Sequence, residues 1–260
     1  MGLRRLIKNY KKKKKQTVTP CDEAVINGFK FNVNLDQFWD SFNKDWELQT
    51  KRFFKKYTRP DKNIIDIGTW IGPTVLIGYA NNPNKIYAVE ADPLNFHTLK
   101  KNCYNNLLLD KVTLINNCVY FESNSIVSFG EPLNENDSST KSFSLEGDGF
   151  KILSKTITDI ILENKIENFN IVKIDIEGAE KYIVNDLIYL STVKNLTILL
   201  SLHPSFWAEE KDEIIKHLST ALKLYDIYNL DEEIIDIQTV VDYTHTKINF
   251  ELILKQKVIQ

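Results

Sequence analysis

The stretch NIIDIGTWIG, residues 63–72, is an apolar run that stops at Asp66 and Gly68 and is followed by a second glycine, Gly72. A strand that feeds a glycine turn and then a helix opens a parallel α/β sheet. The first glycine turns the chain tightly and admits a ligand to the backbone, and the second lets the helix start pack closely. The spacing is D-x-G-x-x-x-G, not the G-x-G-x-x-G of a dinucleotide site. The next apolar run, residues 85–90, ends at Glu90, about 20 residues past the turn, where a carboxylate can accept hydrogen bonds from both hydroxyls of a ribose. The two features together point to an adenosine-containing cofactor. Without a phosphate-cradling glycine pattern, S-adenosylmethionine is favoured over a dinucleotide, and its sulfonium charge suits a pocket near Asp66 and Glu90.

Outward from this unit the chain alternates strand and helix. Helices are predicted at 74–81 and 93–105, the latter with a proline at its start. Strands follow at 112–120, 171–176 and 196–202, with helices from 158, at 179–190 and at 209–224, and late strands at 225–229 and 250–255. Residues 121–155 are polar, with one strand at 126–129. This order predicts an α/β fold: a doubly wound, mostly parallel seven-stranded sheet with helices on both faces. Three regions are expected: a basic tail over 1–20, a hairpin and helix extension over 21–60, and the main domain over 61–260. The hairpin signal is Asn27-Gly28 between apolar runs, and the extension also carries Phe38, Trp39, Phe42 and Trp46.

Composition removes several classes. The 260 residues carry 33 basic and 35 acidic groups, a net charge of −2. Residues 1–15 hold eight basic groups and no acid, which leaves 25 basic against 35 acidic groups in a body at −10. A basic tail on an acidic body suggests an electrostatic tether more than a nucleic-acid surface. Hydrophobic residues make up 43%, too many for a disordered chain. No apolar run approaches the roughly 18–20 residues of a spanning helix, and no secretory pattern follows the basic start. Three cysteines without metal-like spacing, Cys21, Cys103 and Cys118, read as reduced thiols of a cytoplasmic protein.

Ligands of open α/β sheets sit beyond the carboxyl ends of the strands, so chemistry is sought there. The fourth strand runs Lys173-Ile174-Asp175-Ile176-Glu177, and strand alternation puts its three charges on one side. Charges in a central strand are costly unless paired or placed at its open end. The alternative is an internal lysine–carboxylate pair that only fixes the strand end. His203 closes the fifth strand on the same rim, where a neutral imidazole can take a proton from a hydroxyl; taken alone it would more often be structural. Glu47 lies just before the first strand, within reach of cofactor or substrate. His97, His217 and His245 are given no role.

The ordered blocks NIIDIGTWIGPTVL (63–76), IYAVEADPLNFHTLKKN (86–102), VTLINNCV (112–119), TITDII (156–161) and KIDIEGAE (173–180) resemble the FkbM family of class I S-adenosylmethionine-dependent methyltransferases, over roughly residues 46–205. The resemblance implies a Rossmann-like fold and an acceptor hydroxyl, often on a glycan or related natural product. It implies that Asp66, Gly68 and Gly72 line the methionine side of the cofactor and that Glu90 holds the ribose. Asn117 and Cys118 would flank the adenine, and Asp175 would lie between methyl group and acceptor. The chain departs from the family at Thr69-Trp70, at Pro73, and at Ser201, where an acid commonly stands two residues before the histidine.

The catalytic candidates are therefore Asp175, His203 and Glu177, with His203 or Asp175 as base. A divalent metal centred on Asp175 is left open. The aromatics of the extension and the 121–155 segment, with Ser142 and Ser144, are candidate acceptor walls. Two competing functions remain: an RNA methyltransferase using the basic tail as an arm, and a non-catalytic cofactor-binding module. Leu3, Leu6, Ile7 and Tyr10 recur at helical spacing among the basic groups, as in an interfacial helix on an anionic membrane. A cytoplasmic enzyme held at the inner face of a membrane is the expectation that follows; a solvated terminus is the plainer one.

Overall fold

The computed structural model describes residues 22–129, 143–144 and 150–257. The basic tail with its apolar stripe, Cys21 and Ser142 thus lie outside the described residues. Strands are numbered along the chain. β1 Asp22–Ile26 and β2 Phe29–Val33 form a hairpin. β3 Asn63–Ile67, β4 Lys85–Val89 and β5 Val112–Ile115 follow, then the short β6 Cys118–Val119, β7 Ile126–Phe129, β8 Phe143–Ser144 and β9 Phe150–Lys155. β10 Phe169–Ile174, β11 Thr197–Leu202, β12 Tyr225–Tyr228, β13 Ile234–Ile235 and β14 Phe250–Gln256 complete the series.

The central sheet has the order β13-β12-β14-β11-β10-β3-β4-β5. β5, β4, β3, β10 and β11 are parallel neighbours, and β14 enters antiparallel beside β11. The expected seven strands are present; the eighth, β13, is a two-residue edge piece too short to leave a periodic signal. The order reverses between β3 and β10, so the crevice of this doubly wound sheet opens at their carboxyl ends.

Strand alternation divides the core in two. Ile65, Ile67, Val172, Ile174, Leu200 and Leu252 pack on one face, against the helices Ile157–Glu163, Val184–Leu190 and Lys211–Leu222. Ile64, Ile171, Leu199 and Ile253 pack on the other, against Phe38–Lys44, Leu48–Tyr57, Pro73–Ala80 and Pro93–Asn105. The second face includes the extension: Phe31, Trp39, Phe42, Phe53 and Phe54 share one cluster with Val75, Leu76 and Leu99. The extension thus packs into the core on one face of the central sheet, while its hairpin forms a separate two-stranded sheet. Its hairpin turns at Asn27 and Gly28, whose φ of 51° and 84° are the two positive values that a two-residue turn requires.

Several elements depart from expectation. The strand predicted at 112–120 breaks in two, because Asn116 donates to the carbonyls of Glu90 and Ala91 while Asn117 donates to that of Leu153. The two amides steer the chain off the main sheet, so β6 pairs with β9 in a second sheet, β6-β9-β7-β8, which occupies the region expected to be loop-like. The helix predicted at 179–190 starts as a 3-10 turn, Ala179–Tyr182, and restarts at Val184. A helix at Ile237–Thr246, absent from the expectation, bridges the last strands.

Gly68 is the tightest point of this framework. Its N–H donates to the Val89 carbonyl, the Asp175 N–H donates to the Ile67 carbonyl, and its φ is +78°. A Cβ there would stand 1.6 Å from the Asp175 carbonyl oxygen. Gly68→Ala is expected to cost about 2–4 kcal/mol in a urea unfolding experiment, from overpacking plus left-handed strain. Gly28→Ala serves as control: it shares the positive φ but meets nothing within 4 Å, so only the strain of roughly 1–2 kcal/mol applies.

Candidate active site

A cavity of about 590 Å³ opens beyond the carboxyl ends of β3, β4 and β10. Glu90 forms part of its wall, with Oε2 accepting from the Trp70 N–H at 2.7 Å and Oε1 from the Asp92 N–H at 2.8 Å. A carboxylate pinned by two backbone donors at a strand end fits a ribose diol. Asn117, Cys118 and Val119 continue this wall. Burial, with Glu90 nearby, pushes the Cys118 thiol up to about 12, so it presents a neutral, weakly polar surface suited to an adenine face.

Gly68 lines the cavity, but Asp66 and Gly72 stand behind its wall. Asp66 is fully buried and accepts from the Thr74 hydroxyl at 2.6 Å, so it acts on the cavity through Thr74. Gly72, at φ +101°, makes room for Leu99; a Cβ would meet the Leu99 Cδ1 at 2.7 Å. It serves helix packing at this point and does not line the cavity.

The other end of the cavity is ionic. Lys173 is 1% exposed, and its Nζ lies 2.9 Å from Asp175 Oδ2. Burial alone would push this ammonium down, but Asp175, Asp66 and Glu47 outweigh it and hold Lys173 above the ordinary lysine value. Burial likewise pushes Asp175 up, but Lys173 and then His203 dominate, so its carboxyl is held below the usual range and stays ionised. Glu177 feels His203 and Lys173 too, but burial and the neighbouring Asp175 outweigh them and push it up to about 7. Asp175 and Glu177 both line the cavity.

His203 sits a layer deeper, behind Asp175. Its Nε2 is 3.3 Å from Asp175 Oδ1 and its Nδ1 is 2.6 Å from Glu180 Oε1. Burial opposes the imidazolium, yet Glu180, Asp175 and Glu177 raise the pKa above that of ordinary histidine. An imidazole held charged between carboxylates supports them and is poorly placed to take a proton. Glu180, 0% exposed, also accepts from the Gly178 N–H at 3.0 Å and the Trp207 indole at 3.0 Å. The sequence reading missed it. The signal was the last letter of KIDIEGAE, hidden because a regular helix was assumed there. Ser201, standing in place of an acid, donates instead to Glu251 at 3.2 Å.

Asp175, Glu177 and His203 each offer a ligand atom within 4.8 Å of the others. The Lys173 ammonium and a charged His203 already face this carboxylate, so the set fits a metal cation poorly. Phe38, Trp46 and Trp70 form an aromatic wall, with Phe38 and Trp70 crossing edge to face at 4.5 Å. Trp39, also expected there, is core. Aromatic faces beside carboxylates fit a sulfonium.

Backbone strain is present here as well. Glu47, Trp70 and Glu177, with φ of 42°, 51° and 47°, all line the cavity. Left-handed conformations are uncommon for such residues and cluster at functional sites.

Glu180→Gln should lower the His203 pKa, because an amide removes the charge that raises it and leaves burial to depress it. A histidine Cε1–H NMR titration reads the shift; an unmoved midpoint would refute the pairing.

A family model described as the methyltransferase FkbM domain matches residues 66–226. A 62-residue stretch, 24% of this chain, is 36% identical to 20% of a ribosomal protein L11 methyltransferase from Carboxydothermus hydrogenoformans. Among solved structures, a methyltransferase FkbM from Methylobacillus flagellatus KT superposes with a TM-score of 0.46 at 14% identity, covering 79% of this chain and 50% of that one. A putative SAM-dependent methyltransferase from Streptococcus mutans gives 0.48 at 11% identity, covering 90% and 54%. The M. jannaschii tRNA m1G37 methyltransferase gives 0.41 at 16%, covering 92% and 57%. The chain therefore spans about half the length of these three structures.

Proposed function

Because the chain belongs to the FkbM methyltransferase family, we propose that it is an S-adenosylmethionine-dependent O-methyltransferase acting on a hydroxyl of a sugar, a glycan or a related natural product. The observation that carries this reading is the single cavity in which the Glu90 wall runs continuously into Asp175 and Glu177. Bound there, S-adenosylmethionine supplies an electrophilic methyl group on a positively charged sulfur. Glu90 holds the ribose, Asn117 and Cys118 flank the adenine, and Gly68 lets the backbone approach.

The chain's remaining task is to align an acceptor and remove a proton. Asp175, kept ionised by Lys173 and His203, accepts a hydrogen bond from a neighbouring hydroxyl of the acceptor and orients it. Glu177, pushed up to about 7, is the proton acceptor matched to neutral pH. His203 and Glu180 hold Asp175 in place. No metal is needed for these roles.

A base must be deprotonated to act. Turnover should rise with pH through about 7 and fall roughly tenfold per unit below it, following Glu177. Glu177→Gln should lower kcat by about 10²–10⁴ and flatten that acid limb; a wild-type profile in the variant would remove Glu177 from the role. Methyl transfer to a panel of glycans and glycosylated small molecules, run beside transfer to RNA, tests the substrate class. Labelled methyl on RNA alone would replace it with the nucleic-acid reading, and cofactor binding without any turnover would support a non-catalytic module.

We further propose that residues 1–15 tether a cytoplasmic enzyme to an anionic membrane where a glycan is assembled. The support is their eight basic groups without an acid. Among the described residues no helix is long and apolar enough to cross a membrane. Deleting 1–15 should abolish sedimentation with phosphatidylserine vesicles and spare activity on a soluble acceptor; undiminished sedimentation would sink the tether.

A further inference from the structure

The family match spans 66–226, but the ionic end of the cavity does not stop at those limits. Asp66 and Lys173 are register partners in β3 and β10, and Ser201 and Glu251 are register partners in β11 and β14. All four stand on the sheet face that carries Ile64, Ile171, Leu199 and Ile253, the face covered by the extension. Glu251 comes from beyond the matched segment, and so does Glu47, which the extension places on the cavity wall.

Glu47 helps hold the Lys173 ammonium, but that duty leaves one of its oxygens over. It occupies the N-cap of the helix Leu48–Tyr57 but makes no side-chain cap. Its φ of 42° is a conformation that glutamate rarely adopts. Its Oε2 is buried and has no hydrogen-bond partner among the described residues. A buried carboxylate oxygen without a donor costs free energy, and a ligand that brings a donor recovers it. The charge count agrees. Glu47, Asp66, Asp175 and Glu251 surround Lys173, four carboxylates around one ammonium, and Glu47 is pushed up to about 7 by burial, Glu251 and Asp175 in spite of Lys173.

We propose that Glu47 is a cofactor-binding residue supplied by the N-terminal extension, and that its carboxylate receives the α-ammonium group at the amino-acid end of the cofactor. The assignment rests on the S-adenosylmethionine reading above. It gives the extension a function: the helix pair Phe38–Lys44 and Leu48–Tyr57 closes the cavity with aromatic rings and delivers one anion to a cationic group. Nucleotides lacking an amino-acid tail would gain nothing from it.

Calorimetry on the full chain tests this with two probes, S-adenosylhomocysteine and its desamino analogue, which differ only in the ammonium group. Wild type should bind the desamino analogue roughly ten- to hundredfold more weakly, the size of one charge-assisted hydrogen bond. Glu47→Gln should bind S-adenosylhomocysteine that much more weakly, bind the desamino analogue as wild type does, and thereby lose discrimination. Unchanged desamino binding also shows that the variant is folded. Discrimination retained in Glu47→Gln, or absent from wild type, overturns the assignment. Failure of wild type to bind either probe overturns the cofactor reading itself, a distinguishable result.

Discussion

A lysine ammonium buried in the middle of a parallel sheet is the constraint around which this molecule is organised. Lys173 is 1% exposed, and an unpaired charge at such a depth would cost several kcal/mol or lose its proton. It keeps the proton because carboxylates converge on it from separate parts of the chain: Asp175 from its own strand, Asp66 from the neighbouring strand and Glu47 from the extension. Lys173 in turn lowers the cost of burying each of those acids. The cluster is therefore mutual, and removing Lys173 would leave its acids with an uncompensated charge. This explains why the crevice between β3 and β10 has one defined ionic end while the Glu90 end is built from backbone donors.

The same mutual dependence reaches His203. Asp175 has two oxygens. Lys173 takes one at 2.9 Å and His203 approaches the other at 3.3 Å. Glu180 then fixes the imidazole from behind and is itself held by Gly178 and Trp207. A chain of charges of alternating sign, from Lys173 to Asp175 to His203 to Glu180, runs inward from the cavity. Glu177 lies beside it, where burial and Asp175 outweigh His203 and Lys173, so the two carboxylates of one strand end have pKa values displaced in opposite directions. Two carboxylates pushed apart by environment are the arrangement that lets one stay anionic and the other exchange a proton.

Much of this was legible in the sequence wherever the signal was local. The glycine turn, the acid ending the second strand and the three charges at 173, 175 and 177 each mark a strand end, and a strand end is readable from an apolar run and its punctuation. Glu180 was illegible because its inward direction depends on a 3-10 turn, a backbone detail that a helical reading of 179–190 erases. Glu251 was illegible for another reason. It lies on an antiparallel strand about fifty residues beyond its partner Ser201, and long-range register leaves no trace in either segment alone. Asp66 and Gly72 stand behind the cavity wall, Asp66 bonded to Thr74 and Gly72 making room for Leu99, a placement that strand-end punctuation does not reveal.

The sheet face explains why the extension matters. On the opposite face, Ile65, Val172, Leu200 and Leu252 are all apolar, so the covering helices need only fill volume. On the extension's face, Asp66, Lys173 and Ser201 stand towards the carboxyl ends of their parallel strands and Glu251 at the amino end of the antiparallel β14, above a hydrophobic base of Ile64, Ile171, Leu199 and Ile253. A covering element there must be apolar below and polar above. Helix Leu48–Tyr57 meets that demand, with Phe53 and Phe54 buried in the core and Glu47 at the end that meets the charges. The change from apolar to polar along this sheet face is thus matched by a segment that precedes residues 66–226, the stretch the family model matches. A sheet that builds half of a charged site leaves the other half to whatever packs against it, and specificity can change there without disturbing the strands.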